Sequence, residues 1–265
     1  MSYGSPLSKF KDDTDGIGFY EVVRDIEEHF EEKKAELIQN LKQLSRQIFR
    51  VDNVMISYTS SEDGLAPMEA AFREIKDTLY PELDGEEIPC VLHGRKRNEG
   101  FKTSSKVQYV ARVGNFIDHG AQYHGALQIL KVILSYDYLW QNVRVKGGAY
   151  GCMSNFNRIG EGYLISYRDP NLKKTMEVYE GVVDYLKNFT VDERDMTKYI
   201  IGTISNIDRP MNPAAKGDRS MNLYMNHVSQ EMIRTERSQI LHAAQEDIRA
   251  LAAVVAVSYT HLTLP

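Results

Sequence analysis

Ala149-Tyr150-Gly151-Cys152-Met153-Ser154-Asn155-Phe156, joined through Ile159-Gly160-Glu161 to Gly162-Tyr163-Leu164-Ile165-Ser166-Tyr167-Arg168, is the stretch that decides the fold. Two short runs rich in aromatic and branched residues, separated by a glycine-containing turn, read as paired strands. Upstream, Lys106-Val107-Gln108-Tyr109-Val110-Ala111-Arg112-Val113 alternates, so Val107, Tyr109, Ala111 and Val113 fall on one face of a further strand. A long helix is expected between them, from about Ala121 to Trp140. Downstream, Asp169-Pro170 makes a helix start, and Leu172, Met176, Tyr179, Val183 and Leu186 keep the spacing of a packed helix. Thr190-Val191-Asp192-Glu193 has the capping-box form for the next helix, which runs toward Ile207 and is ended by Pro210 and Pro213. Strands in runs and helices in runs predict an α+β class, built of two-layer units with a mixed or antiparallel sheet covered by helices on one face.

The chain before this block is mainly helical. From Tyr20 to about Phe49, Val23, Ile26, Phe30, Leu37, Leu41, Leu44 and Ile48 recur at helical spacing. Asn53-Val54-Met55-Ile56-Ser57-Tyr58 is short and apolar enough for a buried strand. Pro67 then suits a first helical position, with Met68, Phe72, Ile75 and Leu79 as its stripe and Pro81 as its stop. No period survives between Pro81 and Gly100. The expected organisation is therefore a first unit over residues 1–85, a linker over 86–100, a second unit over 101–256, and a non-native tail over 257–265. That tail has neither a helix stripe nor any link to what precedes it, so the true C-terminus is expected to be missing.

With 265 residues the chain fits between one and two domains at a prior of about 150 residues each. Thirty-two basic against 37 acidic residues give a net charge of −5, a field that repels phosphate backbones, so nucleic acid is not expected as a partner. No uncharged apolar run approaches the roughly 18 residues of a membrane helix, and no membrane partner is expected. Cys90 and Cys152 are too few for a disulfide framework or a structural zinc site, and a cytoplasmic location is the default.

Residues that could carry chemistry are sparse. His29-Phe30-Glu31-Glu32-Lys33 resembles an inverted zinc motif, but its second ligand is an ammonium, so a solvated helix face is the expected reading. His119 and His124, with Asp118, flank a helix start at a spacing loose for a metal pair. There is no Gly-x-Ser-x-Gly, Walker loop or Gly-x-Gly-x-x-Gly, and Cys152 sits in a strand as an expected inert thiol. The unusual patch is Arg144-Val145-Lys146-Gly147-Gly148-Ala149-Tyr150-Gly151. Its glycines permit conformations closed to other residues and let another chain approach, which suits a binding edge. The competing reading is a plain helix-to-strand turn, with Gly147 or Gly148 as the helix cap and Tyr150 in the core.

The run Asp137-Tyr138-Leu139-Trp140-Gln141-Asn142-Val143-Arg144-Val145-Lys146-Gly147-Gly148-Ala149-Tyr150-Gly151 resembles the C-terminal signature of insulinase-like (pitrilysin-type) zinc metallopeptidases, in the presequence protease branch. Asn98-Glu99-Gly100-Phe101, Ser166 to Leu172, Ile201-Gly202-Thr203-Ile204 and Ala215-Lys216-Gly217 fall in the family's order. The resemblance is specific from about Asn98 to Val254 and looser from Tyr20 to Pro81.

That resemblance implies four similar α+β domains in two halves that close as a clamshell around an unfolded peptide, with the zinc-binding His-x-x-Glu-His in the first half. Residues 1–85 then correspond to the end of the third domain and 101–256 to most of the fourth. The implied partners are unfolded peptides and the N-terminal half of the same protein. Zinc is the implied cofactor of the complete enzyme, with none bound by this chain. The implied catalytic residues are Arg144 and Tyr150, which hold a substrate carbonyl, and the implied substrate-binding residues are Gly147, Gly148 and Ala149. A guanidinium and a phenol are suitable donors to an oxygen that gains negative charge. The sequence thus reads as the C-terminal portion of a zinc-dependent metalloendopeptidase that degrades unfolded oligopeptides, inactive as a fragment. Its rivals are a non-catalytic structural or peptide-binding paralogue of the same fold and an unrelated peptide- or protein-binding α+β module.

Overall fold

The computed structural model describes residues 2–82, 92 and 98–258. Cys90, His93, most of the expected linker and residues 259–265 lie outside the described residues. In chain order the helices are α1 (Pro6–Asp15), α2 (Ile17–Glu28), α3 (Phe30–Ile48), α4 (Leu65–Lys76), α5 (Ala126–Ile133), α6 (Lys173–Glu180), α7 (Val182–Lys187), α8 (Glu193–Ile207), α9 (Pro213–Met225), α10 (Gln230–Leu241) and α11 (Gln245–Ser258). The strands are β1 (Gln108–Asn115), β2 (Gly151–Phe156) and β3 (Glu161–Asp169). Two compact units result. One comprises residues 2–14, 98–209 and 230–258, and the other residues 15–82 and 210–229. The units interleave along the chain, each assembled from more than one segment.

The first unit is α+β. Its sheet is antiparallel throughout, ordered β1-β3-β2, with Val113 opposite Tyr163 and Met153 opposite Ile165. Alternation puts Val110, Leu164, Ser154 and Phe156 on the face packed under the helices, and all four are buried. The central helix α5 packs against β2, α8, α10 and α11, and α11 also packs on α7 and β1. Tyr109, Ala111 and Val113 do share a face, as the alternation predicts, but it is the one turned away from the helix layer: residues 4–8 cover its Val113 and Glu161 end, and at the other end Tyr109 is 75% exposed. Alternation identifies a face without saying which side the helices take, and here they take the side of Val110.

Helix boundaries moved where local geometry overrode pattern. The expected Ala121–Trp140 helix begins at Ala126 and continues past Ile133 through two wider π-helical stretches, Leu134–Tyr138 and Trp140–Val145. The single helix expected after Leu172 is two, α6 and α7, meeting at Gly181. The cap of α8 is Asp192, whose carboxylate accepts from the Asp195 N–H at 2.8 Å, in place of the Thr190 box. Pro213 opens α9 behind the cap Asn212 instead of closing the helix before it.

The N-terminal residues join the first unit through polar contacts. Glu161 is buried and accepts from the Ser5 and Ser8 hydroxyls, while Asn157 Nδ2 donates to its other oxygen at 3.1 Å. Asn115 Nδ2 donates to the Gly4 carbonyl at 2.9 Å.

The second unit is helical. Arg50 and Tyr80 form an isolated parallel bridge, with the Val51 N–H donating to Tyr80 O at 3.0 Å. The strand expected over Asn53–Tyr58 does not form: a 3₁₀ turn over Val51–Asn53 leads into extended chain with no ladder among the described residues. An apolar run becomes a strand only where a partner supplies its hydrogen bonds. Within this unit α9 approaches the loop before α4 so closely that a Cβ on Gly217 would lie 2.0 Å from Thr59 Oγ1.

Candidate functional site

The site is built where the π-helical end of α5 turns into β2. The Lys146 N–H donates to Gln141 O, five residues back, at 3.0 Å, which marks the wide turn. This geometry buries Val143 and leaves Arg144, Val145 and Lys146 exposed. Gly148 then ends the helix in the left-handed region at φ 78°, its N–H donating to Arg144 O at 2.9 Å, and the Ala149 N–H donates to Val143 O at 3.2 Å. Gly147 is fixed by space instead, since a Cβ there would stand 2.4 Å from the Val143 carbonyl oxygen. Both glycines therefore have a structural reason to be glycine.

The plain-turn reading is right about the cap and wrong about the tyrosine. Ala149 is buried at 3%, but Tyr150 is 59% exposed. Its ring meets the Tyr167 ring edge-on, centroids 5.4 Å apart, and the Arg168 guanidinium lies 5.4 Å from its centroid. Gly151 makes room for this cluster, because a Cβ there would sit 2.2 Å from the Tyr167 ring. Arg144 lies against another ring, its guanidinium 4.0 Å from the centroid of Trp140. Among the described residues neither Arg144 nor Arg168 makes an ion pair, so both charges stay available at the surface. The turn's backbone is less available: the N–H groups of Gly148, Ala149 and Tyr150 donate within the chain, and Gly147 O accepts from Asn171 Nδ2. What this edge presents outward is side chains, a phenol and two guanidiniums, next to the open end of the sheet face, which carries Tyr109 and Met153. Sequence reading singled out Arg144 and Tyr150 but gave no role to Tyr167 or Arg168, whose signal, the run from Ser166 to Leu172, was visible only as resemblance.

Residues 98–263 match the family model described as PreP C-terminal domain. The chain belongs to that family. It is 40% identical over 256 residues to Protein HypA of Clostridium perfringens, covering 96% of this chain and 26% of that protein. It is 29% identical over 243 residues to Presequence protease 1, chloroplastic/mitochondrial, of Arabidopsis thaliana, covering 91% of this chain and 22% of that one. A crystal structure described as the peptidase M16 inactive domain from Pseudomonas fluorescens superposes with a TM-score of 0.49 at 17% identity, covering 74% of this chain and 49% of that one. The chain spans about a quarter of the length of the curated relatives it matches.

The other chemistry-bearing groups of the chain have local explanations. His29 Nδ1 and Lys33 Nζ both pair with Asp25 on an exposed helix face. His124 Nδ1 accepts from the Ala126 N–H at 3.2 Å and so caps the start of α5. Burial pushes the Cys152 thiol up to about 11, aided by Asp169 and opposed by Arg144, so it is a thiol and not a thiolate at neutral pH. Among the described residues no three His, Cys, Asp or Glu side chains converge on a point that could hold a metal ion. These residues therefore do not fit a zinc ion.

Proposed function

We propose that this chain is the substrate-clamp portion of a longer metalloendopeptidase that degrades unfolded oligopeptides. Arg144 and Tyr150 donate to a backbone carbonyl of the bound peptide, and the open, Tyr109-bearing end of the sheet face forms part of the chamber wall. As the carbonyl carbon is attacked its oxygen gains negative charge, and donors fixed in advance at that oxygen stabilise the transition state more than the ground state. The zinc ligands and the other half of the clamshell belong to other parts of the longer protein. The single observation that carries the reading is that Tyr150 is 59% exposed between the buried residues Ala149 and Gly151. A large ring at a strand entry that the core does not use is free to serve a ligand. Family membership and the name of the Arabidopsis relative support the peptidase class.

The test uses the full-length gene product and an unstructured fluorogenic peptide. Tyr150→Phe keeps the ring and deletes one donor, so kcat should fall by a factor of roughly a hundred to a thousand, equivalent to about 2.7–4 kcal/mol. Arg144→Lys should also be costly, because an ammonium cannot reproduce the guanidinium fork. A full-length product that binds the peptide without cutting it would instead favour the non-catalytic paralogue. Values of kcat/KM within twofold of wild type for both variants would remove the two residues from the site.

A further inference from the structure

Arg168 occupies the left-handed region at φ 47°, a conformation that non-glycine residues keep only where the surroundings enforce it. Its neighbours supply that enforcement. Asp169 is fully buried and accepts from the Ser166 hydroxyl, from Thr175 Oγ1 at 2.8 Å and from the Asn171 N–H at 2.8 Å. Asn171 Nδ2 in turn donates to Gly147 O, which ties the exit of β3 to the glycine turn. The Arg168 carbonyl accepts the Tyr150 N–H at 3.3 Å. A short polar network anchored on one buried carboxylate thus fixes the backbone on both sides of the Tyr150 ring.

A glycine would adopt this φ without strain, yet the position holds an arginine whose guanidinium lies 5.4 Å from the Tyr150 centroid. We propose that Arg168 is a positioning residue for Tyr150, its guanidinium confining the exposed phenol against Tyr167 in one orientation at the peptide-facing edge. The role rests on the reading that Tyr150 meets substrate. It differs from the role of Arg144, since Arg168 acts through the tyrosine and not on the peptide. The glycine that a left-handed position would otherwise favour gives no such restraint, and an aromatic side chain as exposed as Tyr150 has no core to hold it.

Labelling the 265-residue chain with 3-fluorotyrosine gives one ¹⁹F signal for each of its 16 tyrosines, and Tyr150→Phe assigns the signal of Tyr150. Arg168→Gly retains the backbone conformation and removes the guanidinium. The Tyr150 signal should then narrow and move toward the value of a free tyrosine while the signals away from the cluster stay in place. Arg168→Lys, which keeps a cation over the ring, should restore part of the shift. An unchanged Tyr150 signal in Arg168→Gly overturns the proposal, and so does a general shift of all signals, which would make Arg168 structural. In the full-length product, Arg168→Gly should lower kcat about two- to fivefold, the worth of one exposed cation–π contact, with KM unchanged. Hydrolysis that is unaffected by Tyr150→Phe would defeat the underlying reading and leave the ¹⁹F result to decide Arg168. Hydrolysis that needs Tyr150 but tolerates Arg168→Gly would defeat this proposal alone.

Discussion

The helices α5 and α3 carry equally regular apolar stripes and meet opposite fates. In α5, Leu127, Leu130 and Ile133 are completely buried, at the centre of a cluster that reaches β2, α8, α10 and α11. In α3, Leu41 is 55% exposed and Leu44 and Ile48 are nearly as open, and among the described residues of 15–82 and 210–229 none is buried. A stripe at helical spacing states that a helix has an apolar side. It carries no information about which element covers that side, because the cover is a property of the tertiary arrangement. The stability of the first unit therefore rests on side-chain packing, and that of the second on local helix propensity and on pairs such as Asp25 with Lys33, which ties α2 to α3.

Graded substitutions can break or sharpen this contrast. Phe156→Ala removes a large, fully buried ring from the covered sheet face and should lower unfolding free energy by about 3–5 kcal/mol in chemical denaturation. A smaller effect is expected at Asp169. Asp169→Ala orphans the donors of Ser166, Thr175 and Asn171 and should cost about 1–3 kcal/mol, with loss of order at the Tyr150 cluster visible in the ¹⁹F spectrum. Least of all is expected from Leu41→Ala on the exposed stripe, within about 0.5 kcal/mol. Hydrogen exchange should follow the same order, with the amides of α2 and α3 exchanging well before those of α5. If Leu41→Ala proved as damaging as Phe156→Ala, or α3 as protected as α5, the contrast between a packed and an uncovered unit would collapse.

The β2–β3 hairpin, β1 and the helical blocks after Leu172 were legible because period and turn residues act over a few positions. What failed were choices among local competitors and statements about cover. The capping-box pattern points to Thr190, whereas the cap of α8 is Asp192, whose backbone is extended and whose carboxylate accepts from the Asp195 N–H. Tyr109, Ala111 and Val113 do fall on one face, but the side taken by the helices is decided by α5, α11 and their partners, far away in sequence. The site was legible to the same extent. Arg144 and Tyr150 stood out beside their glycines, whereas Arg168 could not, since a left-handed arginine has no compositional signature and exists only through Asp169 and the turn it locks.

The fastening of the N-terminal residues to Glu161 has a consequence for biosynthesis. Ser5 and its acceptor are 156 positions apart in the chain, so on a ribosome adding about 5–20 residues per second the hydroxyl emerges roughly 8–30 s before the carboxylate that will take it. During that interval α1 has no docking partner at the β1–β3 end, while α2, α3 and α4 are already complete. Closing so long a segment slows the search more than it weakens the final bond, because loop entropy grows only logarithmically with length whereas folding rates fall with contact separation. The order of synthesis therefore makes α2, α3 and α4 before the sheet and α9 after it, and a pause introduced in translation before the codon for Glu161 should lengthen the protease-sensitive lifetime of residues 2–14 in the nascent chain.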